Sequence, residues 1–148
     1  MQNRVSVTAA QPKALQAMLG LEQYLSGTSL SKTLKELIKI RASQINGCAY
    51  CINMHTEDAL KAGETNQRIF LLSAWRESGD LFSEEERLVL KMTEEITLIH
   101  RGGLSDKTYE QALQFFEEHQ IAEVVMAIIT INMWNRVAIT SHTPVCAV

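Results

Sequence analysis

An all-α fold, a bundle of about six to seven helices in a single domain spanning 1–148, is predicted by three features of the sequence. Apolar residues recur at helical spacing throughout, as at Leu34, Leu37, Ile38, Arg41 through its stem, and Ile45. Strand signals are nearly absent: no alternating apolar and polar run is bounded by turn residues, and Asn46-Gly47 does not lie between two β-branched runs. Helix start and stop residues also fall where the periodicity begins and ends. In chain order the helices are expected near 12–25, 31–46, 48–62, 66–77, 84–100, 106–117 and 120–139. The first two rest on periodicity. The third stops at Gly63, after Lys61-Ala62, and the fourth starts from Thr65 as N-cap. Ser83 with Glu86 makes a capping box for the fifth, which ends before Gly102-Gly103, and Ser105 caps the sixth. The last lies within the apolar stretch from Ile121 to Thr140, which is long enough to cross a bilayer. Glu123, Asn132, Asn135 and Arg136 interrupt it, and charge or amide groups are costly in hydrocarbon. It is therefore read as a helix buried on most sides, part of that burial coming from a sister subunit.

The composition narrows the function. Of the residues, 46% are hydrophobic and 21% charged, with 7 Gly and 2 Pro, which describes a globular protein able to bury a core. A formal charge of -3 and the lack of a basic cluster give no field for phosphate backbones, so nucleic acid is not an expected partner. Met1 to Thr8 holds a single Arg4 and no apolar run of signal-peptide length, which makes a reducing cytoplasmic compartment the expectation. Three cysteines there do not make a disulfide framework. Cys146 stands far from the other two and is read as incidental.

The chemistry concentrates at Cys48-Ala49-Tyr50-Cys51 and His55. On a helix Cys51 lies about 60° from Cys48, and His55 about 20° from Cys48 and 40° from Cys51, so all three share one face. A helix beginning near Cys48 places both sulfurs in its first turn, where free backbone N–H groups favour a thiolate. A thiolate attacks a peroxide oxygen or a disulfide sulfur, and a second thiol two residues away resolves the product into an internal disulfide. His55 is placed to move the proton, and a carboxylate would orient it.

Glu36, then Cys48 twelve residues later behind Asn46-Gly47, then Cys51 and His55, resemble the core motif of the alkylhydroperoxidase AhpD-like branch of the carboxymuconolactone decarboxylase superfamily, with the match running from Glu36 to about Gly63. The resemblance implies an AhpD-like helical bundle, a thiol-dependent peroxidase, and catalytic roles for Cys51 (attacking), Cys48 (resolving), and Glu36 with His55 (proton relay). It implies no metal or organic cofactor, an external dithiol reductant of lipoyl or thioredoxin type, and a homo-oligomer, trimer or hexamer. The best-known members carry a histidine immediately before the second cysteine, where this chain has Tyr50. A phenol titrates near pH ~10 and does not replace an imidazole as a neutral-pH base. The superfamily's lactone decarboxylases look like the same fold without the dithiol, so both cysteines favour redox chemistry.

Other readings of the same residues remain open at this stage. The dithiol could serve a protein-disulfide or adaptor reductase, or a redox switch that changes oligomeric state. Cys48, Cys51 and His55 with Glu36 could hold zinc, although the chain has no second CxxC or HxxxH, and haem attachment would need histidine where Ile52 stands. Two buried, inert cysteines are the bland alternative. Tyr50 suits either the entrance to the dithiol or an interface, Met54, Met92, Met126 and Met133 read as packing, and His100, His119 and His142 fall near helix ends or in loops. Trp134-Asn135-Arg136 is a candidate for a subunit contact or an approach to the site.

Overall fold

The computed structural model describes residues 4–145, and Cys146 lies outside them. Among the described residues the regular structure is entirely helical: α1 (Val7–Ala10), α2 (Pro12–Ser26), α3 (Lys32–Asn46), α4 (Ala49–Lys61), α5 (Asn66–Leu71), α6 (Glu84–Thr97), α7 (Asp106–Ala112) and α8 (Glu118–Thr140). Eight α-helices replace the six to seven expected from the sequence, the addition being α1, a single turn capped by Ser6.

Local chemistry explains the boundaries. Ser31, Thr65, Ser83 and Ser105 each accept a hydrogen bond from a backbone N–H three residues on, and Ser83 and Glu86 form the reciprocal capping box. Three expected helices end early. The one near 66–77 tightens into a 3-10 helix at Leu72–Glu77, where Ala74 leaves helical geometry (φ -115°, ψ 27°). The one near 84–100 stops at Thr97 and continues as the 3-10 turn Ile99–Arg101, and the one near 106–117 stops at Ala112. The last helix starts two residues earlier than expected because Glu117 and Gln120 form a capping box of their own.

Helix α3 is the axis of the fold, with eight buried residues. Leu34, Ile38 and Ala42 pack with Val89 and Met92 of α6 and with Val124, Ala127, Ile128 and Ile131 of α8. Leu37 and Ile40 point the other way, into a second cluster with Ala59, Ile69, Leu72, Trp75, Phe82 and Leu90. Burial on two sides explains why α3 also carries buried polar groups with partners: Lys39 Nζ donates to Glu22 Oε2 at 3.2 Å, and half-buried Arg41 reaches Glu94 at 2.9 Å. Helix α8 is long and apolar enough to cross a membrane, yet it lies across this core and buries Ile121, Val124, Ala127, Ile128 and Ile131 in it. Its outer side keeps Ile129 and Ile139 exposed.

Candidate active site

The site grows from the turn between α3 and α4. Gly47 takes left-handed geometry (φ 71°, ψ 31°), which lets its N–H reach Gln44 O at 3.3 Å and the Cys48 N–H reach Ser43 O at 3.0 Å. These bonds close α3 as a glycine-terminated helix does. The chain leaves the turn with Cys48 as the N-cap of α4, its Sγ accepting the Cys51 N–H at 3.3 Å. The helix thus begins one residue after Cys48, and both sulfurs sit at its N-terminal end. They are bonded to each other as a disulfide, with Cα atoms 5.3 Å apart, and both residues are buried.

One turn further on, His55 Nδ1 lies 2.9 Å from Glu36 Oε2, with both side chains buried. An ionised carboxylate only accepts hydrogen bonds, so in a pairing with carboxylate Glu36 the Nδ1–H of His55 is the donor. The four residues singled out in the sequence, Glu36, Cys48, Cys51 and His55, are brought together by the α3–α4 hairpin.

A cavity of about 150 Å³ opens on this group. Cys51 and His55 line it and Cys48 does not. Tyr50 and Met54 of α4 and Trp134, Val137 and Ala138 of α8 form its walls, and Ser6, Thr8, Ser141 and Thr143 complete it. Met54, read from sequence as packing, is a cavity wall as well as 38% exposed. Trp134-Asn135-Arg136 is now placed. Trp134 approaches the site and donates from Nε1 to Glu22 at 2.9 Å, while Asn135 is fully buried and Arg136 is exposed, bonding Asn132.

Sequence reasoning missed the amide network that fixes this turn. Asn46 Nδ2 donates to Asn132 Oδ1 (2.9 Å) and Asn135 Oδ1 (2.8 Å), and Asn135 Nδ2 donates to Ser43 Oγ at 2.9 Å. The last residue of α3 is thereby tied to the helix that supplies the cavity wall. The signal was present: amides in an apolar helix need partners when buried, and a partner one turn from a cysteine motif bears on the site.

Among the described residues, Glu36, His55 and Asp58 form a trio whose nitrogen and oxygen ligand atoms lie within 4.8 Å of one another. Glu36 and His55 already satisfy each other, and Asp58 is half exposed with Lys61 at 3.9 Å. The cysteine sulfurs, bonded to each other, are not thiolate ligands in this state.

The model of the carboxymuconolactone decarboxylase family matches residues 12–95. The chain is 45% identical over 139 residues, 94% of each chain, to the uncharacterized protein YdfG of Bacillus subtilis (strain 168). Its structure superposes with a TM-score of 0.94 and 35% identity on a protein of unknown function from Agrobacterium tumefaciens, proposed as an antioxidant defence protein AhpD, covering 99% of this chain and 100% of that one. A peroxidase-related protein from Ralstonia eutropha JMP134 with an alkylhydroperoxidase AhpD core gives 0.80 at 16% identity, over 93% of this chain and 73% of that one, which is a likeness of fold.

Proposed function

The chain belongs to the carboxymuconolactone decarboxylase family, in its AhpD-like branch, and from that premise we propose that it is a thiol-dependent peroxidase working through Cys48 and Cys51, with His55 and Glu36 as proton relay. The observation that carries this reading is the asymmetry of the pair: Cys51 shares a cavity with His55, whereas Cys48 sits outside the lining. In the reduced protein, the N-terminus of α4 favours a thiolate at Cys51. His55 takes the thiol proton at Nε2, and Glu36 stabilises the imidazolium through Nδ1. The Cys51 sulfur attacks the outer peroxide oxygen, the O–O bond breaks, and the alcohol leaves with the proton from His55, giving a sulfenic acid. The Cys48 thiol then attacks that sulfur, forming the disulfide and releasing water. An external dithiol of lipoyl or thioredoxin type restores both thiols by exchange. These steps need neither metal nor organic cofactor. The small cavity favours a peroxide over a protein disulfide as substrate.

The proposal extends to a cytoplasmic homo-oligomer, trimer or hexamer, acting without nucleic acid or membrane. An apolar groove of about 550 Å³ beside α8, lined by Ile96, Ile99, Leu104, Val125, Ile129 and Met133, supports the assembly.

The test is thiol counting by mass spectrometry on reduced protein given one equivalent of an organic hydroperoxide. Wild type should lose two thiols as a Cys48–Cys51 disulfide that a dithiol reverses. Cys48→Ser should stop at a sulfenic acid on Cys51, and Cys51→Ser should not react. Survival of both thiols in wild type would overturn the peroxidase reading.

A further inference from the structure

The cavity over Cys51 is bordered by segments near the two ends of the described residues. Helices α4 and α8 make its walls, and the rest, its roof, is Ser6, the N-cap of the one-turn helix α1, Thr8 within that helix, and Ser141 and Thr143 beyond α8. The two halves of the roof differ in how firmly they are held. Ser141 continues directly from α8, its N–H bonded to Val137 O at 2.9 Å. Helix α1 has no buried residue. Among the described residues, the hydrogen bond linking residues 4–10 to the body of the protein is Val7 N–H to Ser141 Oγ, at 3.2 Å across 134 positions of sequence. The other bonds of this segment stay within it or run to its neighbours. A segment with little buried surface and one tether opens locally at small cost, without unfolding the rest.

With the roof in place the site accepts little. A volume near 150 Å³ is about that of an apolar cavity that holds one benzene. His55 is the one ionisable group of the lining besides the Tyr50 phenol and the cysteine itself, so no fixed cation greets an acidic substrate. We propose that residues 6–8 form a size-selecting strap, latched by the Val7–Ser141 hydrogen bond, which admits slender uncharged molecules to Cys51 and must lift before anything bulkier, including the re-reducing dithiol, can reach it. This deepens the peroxidase reading by assigning selectivity to the strap, and its first test does not depend on peroxide turnover.

Val7 is the first residue of α1, where proline fits a helix, and Ser6 already has the extended geometry proline asks of its predecessor (φ -77°, ψ 108°). Val7→Pro therefore removes the donor and leaves the turn. Ser141→Ala removes the acceptor. The reduced proteins would be treated with maleimide or with N-(1-pyrenyl)maleimide, and alkylation of Cys51 followed by peptide mapping, with folding checked by circular dichroism. Loss of one hydrogen bond should raise the ratio of bulky to small reagent rates at Cys51 by about two- to tenfold in both variants. An unchanged ratio in both would overturn the strap, as would a rise confined to Ser141→Ala, whose hydroxyl also lines the cavity. Failure of the peroxidase reading would show separately, as normal alkylation with no peroxide turnover.

Discussion

In the proposed relay, Glu36 takes up one of the two nitrogens of His55. The 2.9 Å contact holds the ring at the cavity that Cys51 also lines. Replacing His55 by Gln removes the proposed base and should lower peroxide kcat/KM by about 10²- to 10⁴-fold, as expected for loss of general acid–base catalysis. Glu36→Gln keeps the hydrogen-bonding shape and loses the charge that stabilises the imidazolium. It should cost less, about tenfold, in stopped-flow rates at neutral pH, while Cys51 remains alkylatable. Tyr50 lines the same cavity while remaining partly exposed, so Tyr50→His would place a second imidazole at the mouth. The expected result is a faster reaction near neutral pH, read in the same assay, and no gain would mean that one histidine suffices here.

Elements show how local rules position these residues. Gly47 stands at φ 71° with nothing within 4 Å of where a Cβ would lie, so Gly47→Ala meets no clash and only the left-handed backbone penalty. The variant should lose roughly 1–2 kcal/mol of stability in denaturant unfolding. Glu94 of α6 binds the fold at another joint. Burial raises its carboxyl, but the Trp75 indole N–H, Arg76 and Arg41 outweigh that and hold it below its usual 4.5. A depressed carboxyl contributes stability in full above its unfolded value and loses it as pH falls through the folded one. Glu94→Gln should therefore destabilise the protein by about 2 kcal/mol near pH 7, with the gap to wild type narrowing once pH drops well under 4.5, followed by thermal melts. Much of this scale was legible in the sequence. The caps at Thr65, Ser83 and Ser105 are short-range chemistry that survives without coordinates, whereas Glu36 stood out only through the resemblance of its spacing to a family motif. Helix α1 was not legible because a four-residue turn has no period, and the breaks after Leu71, Thr97 and Ala112 were missed because the apolar periodicity carries on past them, through the 3-10 segments Leu72–Glu77 and Ile99–Arg101 in the first two cases.

The whole molecule depends on contacts between segments remote in sequence, which is why the cavity could not be read in advance: its walls and roof come from both ends of the chain, while the chemistry occupies 36–55. Helix α8 serves two masters, with one side in the core and Ile129 44% exposed on the other, within the apolar groove. If the proposed trimer or hexamer forms there, Ile129→Glu should reduce the mass seen by native mass spectrometry while the monomer still melts cooperatively; an unchanged assembly would move the interface elsewhere. The Val7–Ser141 bond also bears on how the protein is handled. Because it joins residue 7 to residue 141 beside the cavity that Cys51 lines, a change in either segment acts on the same doorway. The same closeness means that a covalent bridge between the segments at residues 7 and 141 would turn the latch into a permanent closure.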